Sequence, residues 1–515
     1  MHDAKMFGFQ KFNRMKKTLF IHHKILLTLL LTMSFAIGCK KEFLDRKPLG
    51  ELTYDTFFST EAQAIQATNA VYNQFRSWEC SSLGYIGMTD ILSDDADKGS
   101  TPNDQPLLGD IDEFNFDANN TYFSQVWTGF YRAIARANLA IKRIPDVPDM
   151  DEDLRKRLIG ECKFLRAHAY FLLVQWYGDL PIITEPLSAE AYYTQERRPV
   201  AEVYALIQRD LLDAIEALPK KGEYAPADLG RVTKGAAQGI LAKLFMVQKD
   251  FAQAEQYCAE IINSNSYSLL PKYADNFLPA GENGAESIFE ITAAALQPDA
   301  GGVVGPGATP YNMVQGVRGN PNLGWGFNRP SNNLVSAYEN GDPRRAATVI
   351  YVGDELPDGV IVQNNPEILD ERFNRKAWVP AHPGLQDNGP GNIRVLRYSD
   401  ILLLYAEALN ENGKSAEALT YLNLVRKRAR GSSSFVLPDV TVTDQALLRE
   451  RIYRERRSEL AMEQHRWFDL LRWGRAEQTM IAVGKNFVAP KHLLMPVPQT
   501  EVDLTDGSIL QNFGY

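Results

Sequence analysis

The sequence predicts a mainly α fold: a tetratricopeptide-like helix-pair scaffold with a large irregular loop-rich insert and a few short strands. Three observations carry this. Nine stretches place apolar residues at steps of three and four, the period that gathers them on one helix face. Two helix pairs repeat a spacing: Ala242 and Ala254 lie 12 residues apart across Lys249-Asp250, as do Ala406 and Ala418 across Asn412-Gly413. Small residues there let paired helices approach closely, as in repeats of ~34 residues. Finally, residues 301–391 hold 14 of the 36 Gly and 10 of the 27 Pro. That density excludes long helices from the stretch.

The elements follow in order. Residues 25–37 are an uncharged run preceded by Lys16, Lys17 and Lys24. A membrane span needs ~20 apolar residues, so this run reads as the core of a signal peptide. Ala36-Ile37-Gly38-Cys39 has the form of a bacterial lipoprotein processing site, with small residues before a Cys that takes the lipid. Met15-Lys16-Lys17 is a more usual start than Met1. Helices are expected over about 60–76, 122–144, 153–177, 200–218, 233–248, 251–263, 398–412, 415–430 and 443–473. Short strands are expected at 286–291, 349–352 and 492–497. The domain reading is a leader over 1–38 and one folded region over 39–515. The latter comprises an N-terminal part (about 39–290), the insert (about 291–395) and a C-terminal helical part (about 396–515).

Composition narrows the function. The chain has 515 residues, 45% hydrophobic and 23% charged, with a net charge of -9. The leader holds six bases and one acid, so residues 39–515 carry 49 bases against 63 acids, a net of -14. That balance argues against nucleic acid as a partner. Cys80, Cys162 and Cys258 make no pairing framework and read as small core residues. Histidines are scattered, and no metal-ligand spacing or cofactor motif is found. Asn412-Gly413-Lys414-Ser415 lacks the first Gly of a phosphate loop, since position 408 is Ala408. The run Asp94-Asp95-Ala96-Asp97 has oxygen ligands but no EF-hand spacing, and leaves a loosely bound Ca²⁺ open.

Glu455, Glu459 and Glu463 share a helix face in the densest charge pattern of the chain. A pair of such carboxylates, Glu459 or Glu463 among them, is what a surface glycosidase would use. Neighbours on one helix point the same way instead of flanking a cleft. An internal ion network with Arg456, Arg466 or arginines of another helix is the expectation. Among the tryptophans, Trp127, Trp176, Trp467 and Trp473 fall in helical patterns and read as core. Trp78, Trp325 and Trp378 fall in loops, where a flat indole offers sugar rings a stacking surface. The two loops, 78–120 and the insert, supply the candidate ligand contacts Trp78, Tyr85, Tyr311, Trp325, Phe327, Asn328 and Arg329.

Several motifs recur in a fixed order. After Cys39 come Trp127-x3-Tyr131-x2-Ile134-x2-Ala137-Asn138, Glu161-x-Lys163-Phe164-Leu165-Arg166-Ala167 and Tyr177-Gly178-Asp179-Leu180-Pro181. The Arg397–Ala408 and Glu455–Leu460 segments follow, and Leu494-Met495-Pro496-Val497-Pro498 and Asn512-Phe513-Gly514-Tyr515 close the chain. In this the sequence resembles the SusD/RagB family of outer-membrane nutrient-binding lipoproteins. Gln464 departs from the family, which usually has Gly there. The resemblance implies a non-enzymatic, cell-surface subunit that binds oligosaccharide and sits over a TonB-dependent (SusC-like) outer-membrane transporter. It also implies a hold on outer-membrane lipid through acylated Cys39, facing the cell exterior. Some relatives handle peptides, so a peptide ligand stays open. The family's ligand residues are poorly shared, so the aromatic candidates rest on texture alone.

Overall fold

A computed structural model describes residues 15–26, 28, 57–294, 307–366, 372–381, 389–433 and 435–515. Cys39 and the processing site lie outside them. Residues 15–26 are helical, and no helix among the described residues is long and apolar enough to cross a membrane. The compact unit runs from Phe58 to Tyr515.

Its scaffold is a chain of helices, each packed on the next: α1 (Glu61–Phe75), α2 (Thr121–Arg143), α3 (Glu152–Tyr177), α4 (Val200–Ala217), α5 (Lys234–Gln248), α6 (Phe251–Asn263), α7 (Tyr398–Glu411) and α8 (Ser415–Arg430). Against α7 and α8 lies α9 (Gln445–Leu460), followed by α10 (Arg466–Arg472). The helix starts are capped by side chains. Thr60 accepts the Gln63 N–H, Asn120 the Tyr122 N–H, and Asp151 the Leu154 N–H, each satisfying an otherwise orphaned donor. Helix α3 stops at Gly178, whose φ of 72° suits glycine. Ala242, Ala254, Ala406 and Ala418 are fully buried where α5 meets α6 and α7 meets α8. The repeat spacing therefore marks true hairpin contacts.

Among the described residues six strands form three antiparallel pairs: β1 (Ala96–Gly99) with β3 (Phe327–Pro330), β2 (Ser287–Ile291) with β6 (Ile393–Arg397), and β4 (Val349–Tyr351) with β5 (Arg372–Asn374). The strand expected at 492–497 does not form. Met495 instead donates its N–H to the Trp176 carbonyl at the end of α3, 2.7 Å away, and takes no strand partner. The loop expected over 78–120 is largely built structure: two one-turn helices (Trp78–Ser81, Leu83–Ile86), a π-helical turn, β1, and a helix at Pro106–Asp112. Residues 80–96 are buried almost throughout. The insert keeps an irregular course but has its own small core of Val317, Leu323, Ile350, Leu356, Phe373 and Trp378.

The expected helix over 443–473 is two helices. Between them Met462 and Gln464 take left-handed backbone angles, φ 62° and 63°. Buried Asp90 holds the break, accepting from the Gln464 backbone N–H at 3.0 Å and from its Nε2 at 2.7 Å. The position where the family usually carries Gly is thus a left-handed one, not part of a helix. Here the side-chain bonds to Asp90 and Tyr311 offset the backbone cost. Removing those bonds while keeping the Cβ should be worst. We expect Gln464→Gly to retain about 1 kcal/mol more stability than Gln464→Ala, read by chemical denaturation.

Candidate functional site

Helix α1 ends at Phe75, and the chain turns through Arg76 and Ser77 into the one-turn helix that starts at Trp78. Trp78 is 39% exposed, and its ring lies 5.7 Å from that of Trp325 at 53° between planes. Trp325 sits just before β3, between two glycines that let its segment press on the chain beside it. A Cβ at Gly324 would fall 2.2 Å from the Met313 carbonyl, and Gly326 has φ 77°. The Trp325 N–H donates to that Met313 carbonyl at 2.9 Å. The result is a half-open indole pair on the loop side of α1 and α2.

Polar groups flank the pair. Arg76 donates to the Gly307 carbonyl (3.1 Å) and to Asn73 (2.7 Å). Glu79, next to Trp78, is paired with Arg132 of α2 at 2.8 Å. The Gly326 carbonyl accepts from the Ser100 N–H at 2.8 Å, and Arg318 bonds the Ser100 hydroxyl and Asp104, the latter at 2.6 Å. Apolar ring faces beside fixed donors and acceptors form a surface suited to a polyhydroxylated ligand. Sequence texture pointed to neither Ser100, Asp104 nor Arg318. They converge only because β1 pairs with β3.

The other predicted contacts divide differently. Tyr85 is buried with its ring edge-on to Trp176, 6.4 Å away, and Tyr311 is buried with its hydroxyl bonded to Gln464. Phe327 is inside β3. Asn328 is fully buried and donates to Asp90 (3.0 Å) and Gln315 (2.7 Å). All four are buried, Phe327 and Asn328 within the β1–β3 pair and Tyr85 and Tyr311 within short helices. Arg329 is half-buried and donates to Asp97 at 2.7 Å. Trp378, expected in an open loop, is buried in the insert's small core. Of the seven candidates, Trp78 is exposed and Trp325 partly so, with half-buried Arg329 on the strand that follows Trp325.

The acidic run is also committed internally. Asp94 pairs with Arg466 (2.8 Å) and Arg457 (2.9 Å), Asp95 with Arg457 (2.7 Å) and Asp97 with Arg329. Each carboxylate thus has an arginine partner, and no cluster with metal-binding composition occurs among the described residues.

The carboxylates of α9 and its break face inward, as an ion network requires. Arg344 and Arg426 reach Glu455 at 2.6 and 2.7 Å. Arg397 and Arg344 reach Glu459 at 3.1 and 3.3 Å, and Arg428 bonds it too. Arg397 and Lys376 reach Glu463 at 2.6 and 2.7 Å. The expected partners Arg456 and Arg466 are used elsewhere, Arg456 on Asp400 (2.8 Å) and Asp469 (3.0 Å), Arg466 on Asp94. Burial alone would raise Glu463, but the Arg397 and Lys376 charges overcome it and hold the carboxyl at about 2. Lys376 is itself lowered to about 8 by burial, with Glu463 opposing and Arg397 adding to the shift. Glu459 is fully buried, and Glu463, which borders a small cavity, is tied to Arg397 and Lys376. Cys80, Cys162 and Cys258 are buried free thiols, and burial raises Cys80 and Cys162 to about 12, as expected of inert core residues.

With this geometry in place, two family models account for most of the scaffold. One described as "SusD family" matches residues 372–515, and one described as "Starch-binding associating with outer membrane" matches residues 42–246. The chain belongs to the SusD/RagB family. A SusD-like protein of Formosa agariphila is 27% identical over 90% of this chain and 94% of its own length. Another from Bacteroides ovatus is 26% identical over 89% and 83%. Among solved structures, a laminarin-binding SusD-like protein superposes with TM-score 0.76 at 28% identity, covering 89% of this chain and all of its own. Surface glycan-binding protein A from Bacteroides thetaiotaomicron, in complex with laminarihexaose, gives TM-score 0.74 at 25% identity over 88% and 100%.

Proposed function

We propose that this protein is a surface glycan-binding subunit of a nutrient importer and has no catalytic activity of its own. It captures an oligosaccharide and hands it to a TonB-dependent outer-membrane transporter, held at the membrane by lipid on Cys39. The observation that carries the reading is the half-open Trp78–Trp325 pair, flanked by Glu79–Arg132 and Arg318–Asp104–Ser100. Family membership and the glycan ligands of its relatives support it. The acidic residues that a hydrolase would need are consumed in a buried network, which favours binding over turnover.

The test is a glycan panel offered to residues 40–515, which retain the whole compact unit, with products analysed. Saturable binding of an oligosaccharide with no shorter products is expected. Cleavage of any bound glycan would overturn the binding reading. Binding of peptides alone would move the ligand class. Co-purification of the full chain with a transporter from its own membrane checks the delivery step.

A further inference from the structure

Helix α2 has a second functional-looking face. Its Gly129 packs on Glu79 and Cys80, toward Trp78. Trp127 and Tyr131 line a separate cavity of about 380 Å³ with Ile183, Leu187, Tyr192 and Glu501. Ligand pockets span roughly 300–1,000 Å³, so the volume suits a small molecule. The Trp127 and Tyr131 rings lie 4.9 Å apart at 40°, and Tyr192 is 40% exposed at the mouth.

One lining residue is unusual. Glu501 is only 8% exposed; it accepts from the Tyr192 hydroxyl at 3.1 Å and is hydrogen-bonded by Trp127 as well. Among the described residues no Lys, Arg or His forms an ion pair with it. The cations nearby are otherwise engaged. Arg132, at the rim, is held by Glu79 at 2.8 Å. Lys142 pairs with Glu185 at 2.9 Å. Arg197 donates to the backbone carbonyls of Asp179 and Tyr177, both at 2.7 Å. Burial raises the Glu501 carboxyl, against hydrogen bonding from Tyr192 and Trp127 that favours its charged form. A buried carboxylate without a counter-ion is costly, and aromatic rings attract a cation to their faces.

We propose that this cavity is a second ligand site that takes a small organic ammonium ion, its apolar head against Trp127, Tyr131 and Tyr192 and its charge on Glu501. The site is distinct from the Trp78–Trp325 pair, though Arg132 borders both, and it goes beyond the role proposed above. The probes are choline and its neutral isostere 3,3-dimethylbutanol, titrated calorimetrically into residues 40–515 while Trp127-region fluorescence is followed. Choline should bind saturably and at least about tenfold more tightly than the isostere. Tyr192→Ala, at an exposed position, and Glu501→Gln should each weaken choline by a similar factor, with Trp78→Ala leaving it unchanged. Equal binding of the two isosteres, or no saturable choline binding to the folded protein, overturns the proposal. That comparison is made on the unaltered protein and stands even if Glu501→Gln fails to fold.

Discussion

Glu459→Ala is expected to cost about 3–5 kcal/mol of stability, the range for breaking a buried ion pair on one side. Glu459 is fully buried and accepts from Arg344, Arg397 and Arg428, three segments distant in sequence. Its loss leaves three buried guanidiniums short of negative charge, and none can reach water. Denaturant unfolding with far-UV detection reads the effect. A midpoint within error of the parent would sink the network account. The same variant separates binding from hydrolysis, since any change in ligand handling should follow the lost fold. Acid should act on the same cluster. The unfolded Glu463 takes its proton near pH 4.5, whereas in the fold it does so only at about 2. Between those values the unfolded chain binds more protons, so stability present above pH 4.5 is lost as pH falls toward 2. That contribution is on the order of 3 kcal/mol.

Trp78→Ala and Trp325→Ala should each weaken the glycan found in the panel by roughly 30-fold, the scale of an aromatic hot spot of about 2 kcal/mol. Both rings are partly open and meet at 5.7 Å, so each removes one wall of a single platform. The double variant should lose little beyond the stronger single, because the two walls act on one ligand. Stability should hardly change for Trp78→Ala. Phe327→Ala makes the contrast: buried in β3, it should cost about 3–5 kcal/mol and alter binding only through the fold. If Trp78→Ala and Trp325→Ala bind the glycan as the parent does, the ligand lies elsewhere.

Much of this scaffold was legible because its signals are local. The helix ends rest on caps such as Thr60, Asn120 and Asp151, and the hairpins on small residues at Ala242, Ala254, Ala406 and Ala418. The inward turn of Glu455 and Glu459 followed from their shared face; Glu463 lies in the break beyond it. The candidate site was less legible. An aromatic in a Gly/Pro-rich segment reads the same whether it faces water, like Trp325, or a core, like Phe327 and Trp378. Long-range packing decides that: for Phe327 the pairing of β1 with β3, which joins residues over 200 positions apart, and for Trp378 the insert's own core. Likewise no local pattern marks the break at Met462 and Gln464, because the group that holds it, Asp90, comes from the other end of the chain.

The amino-acid sequence by itself determined the helices, their pairing by small residues, and the presence of an internal charge network, since each depends on periodicity within one segment. The tertiary structure alone decided which arginine meets which carboxylate, which indoles stay open, and that Glu501 lines one cavity with three aromatic residues. Those outcomes depend on contacts between distant segments, and long-range packing, not local preference, sets what a side chain finally touches.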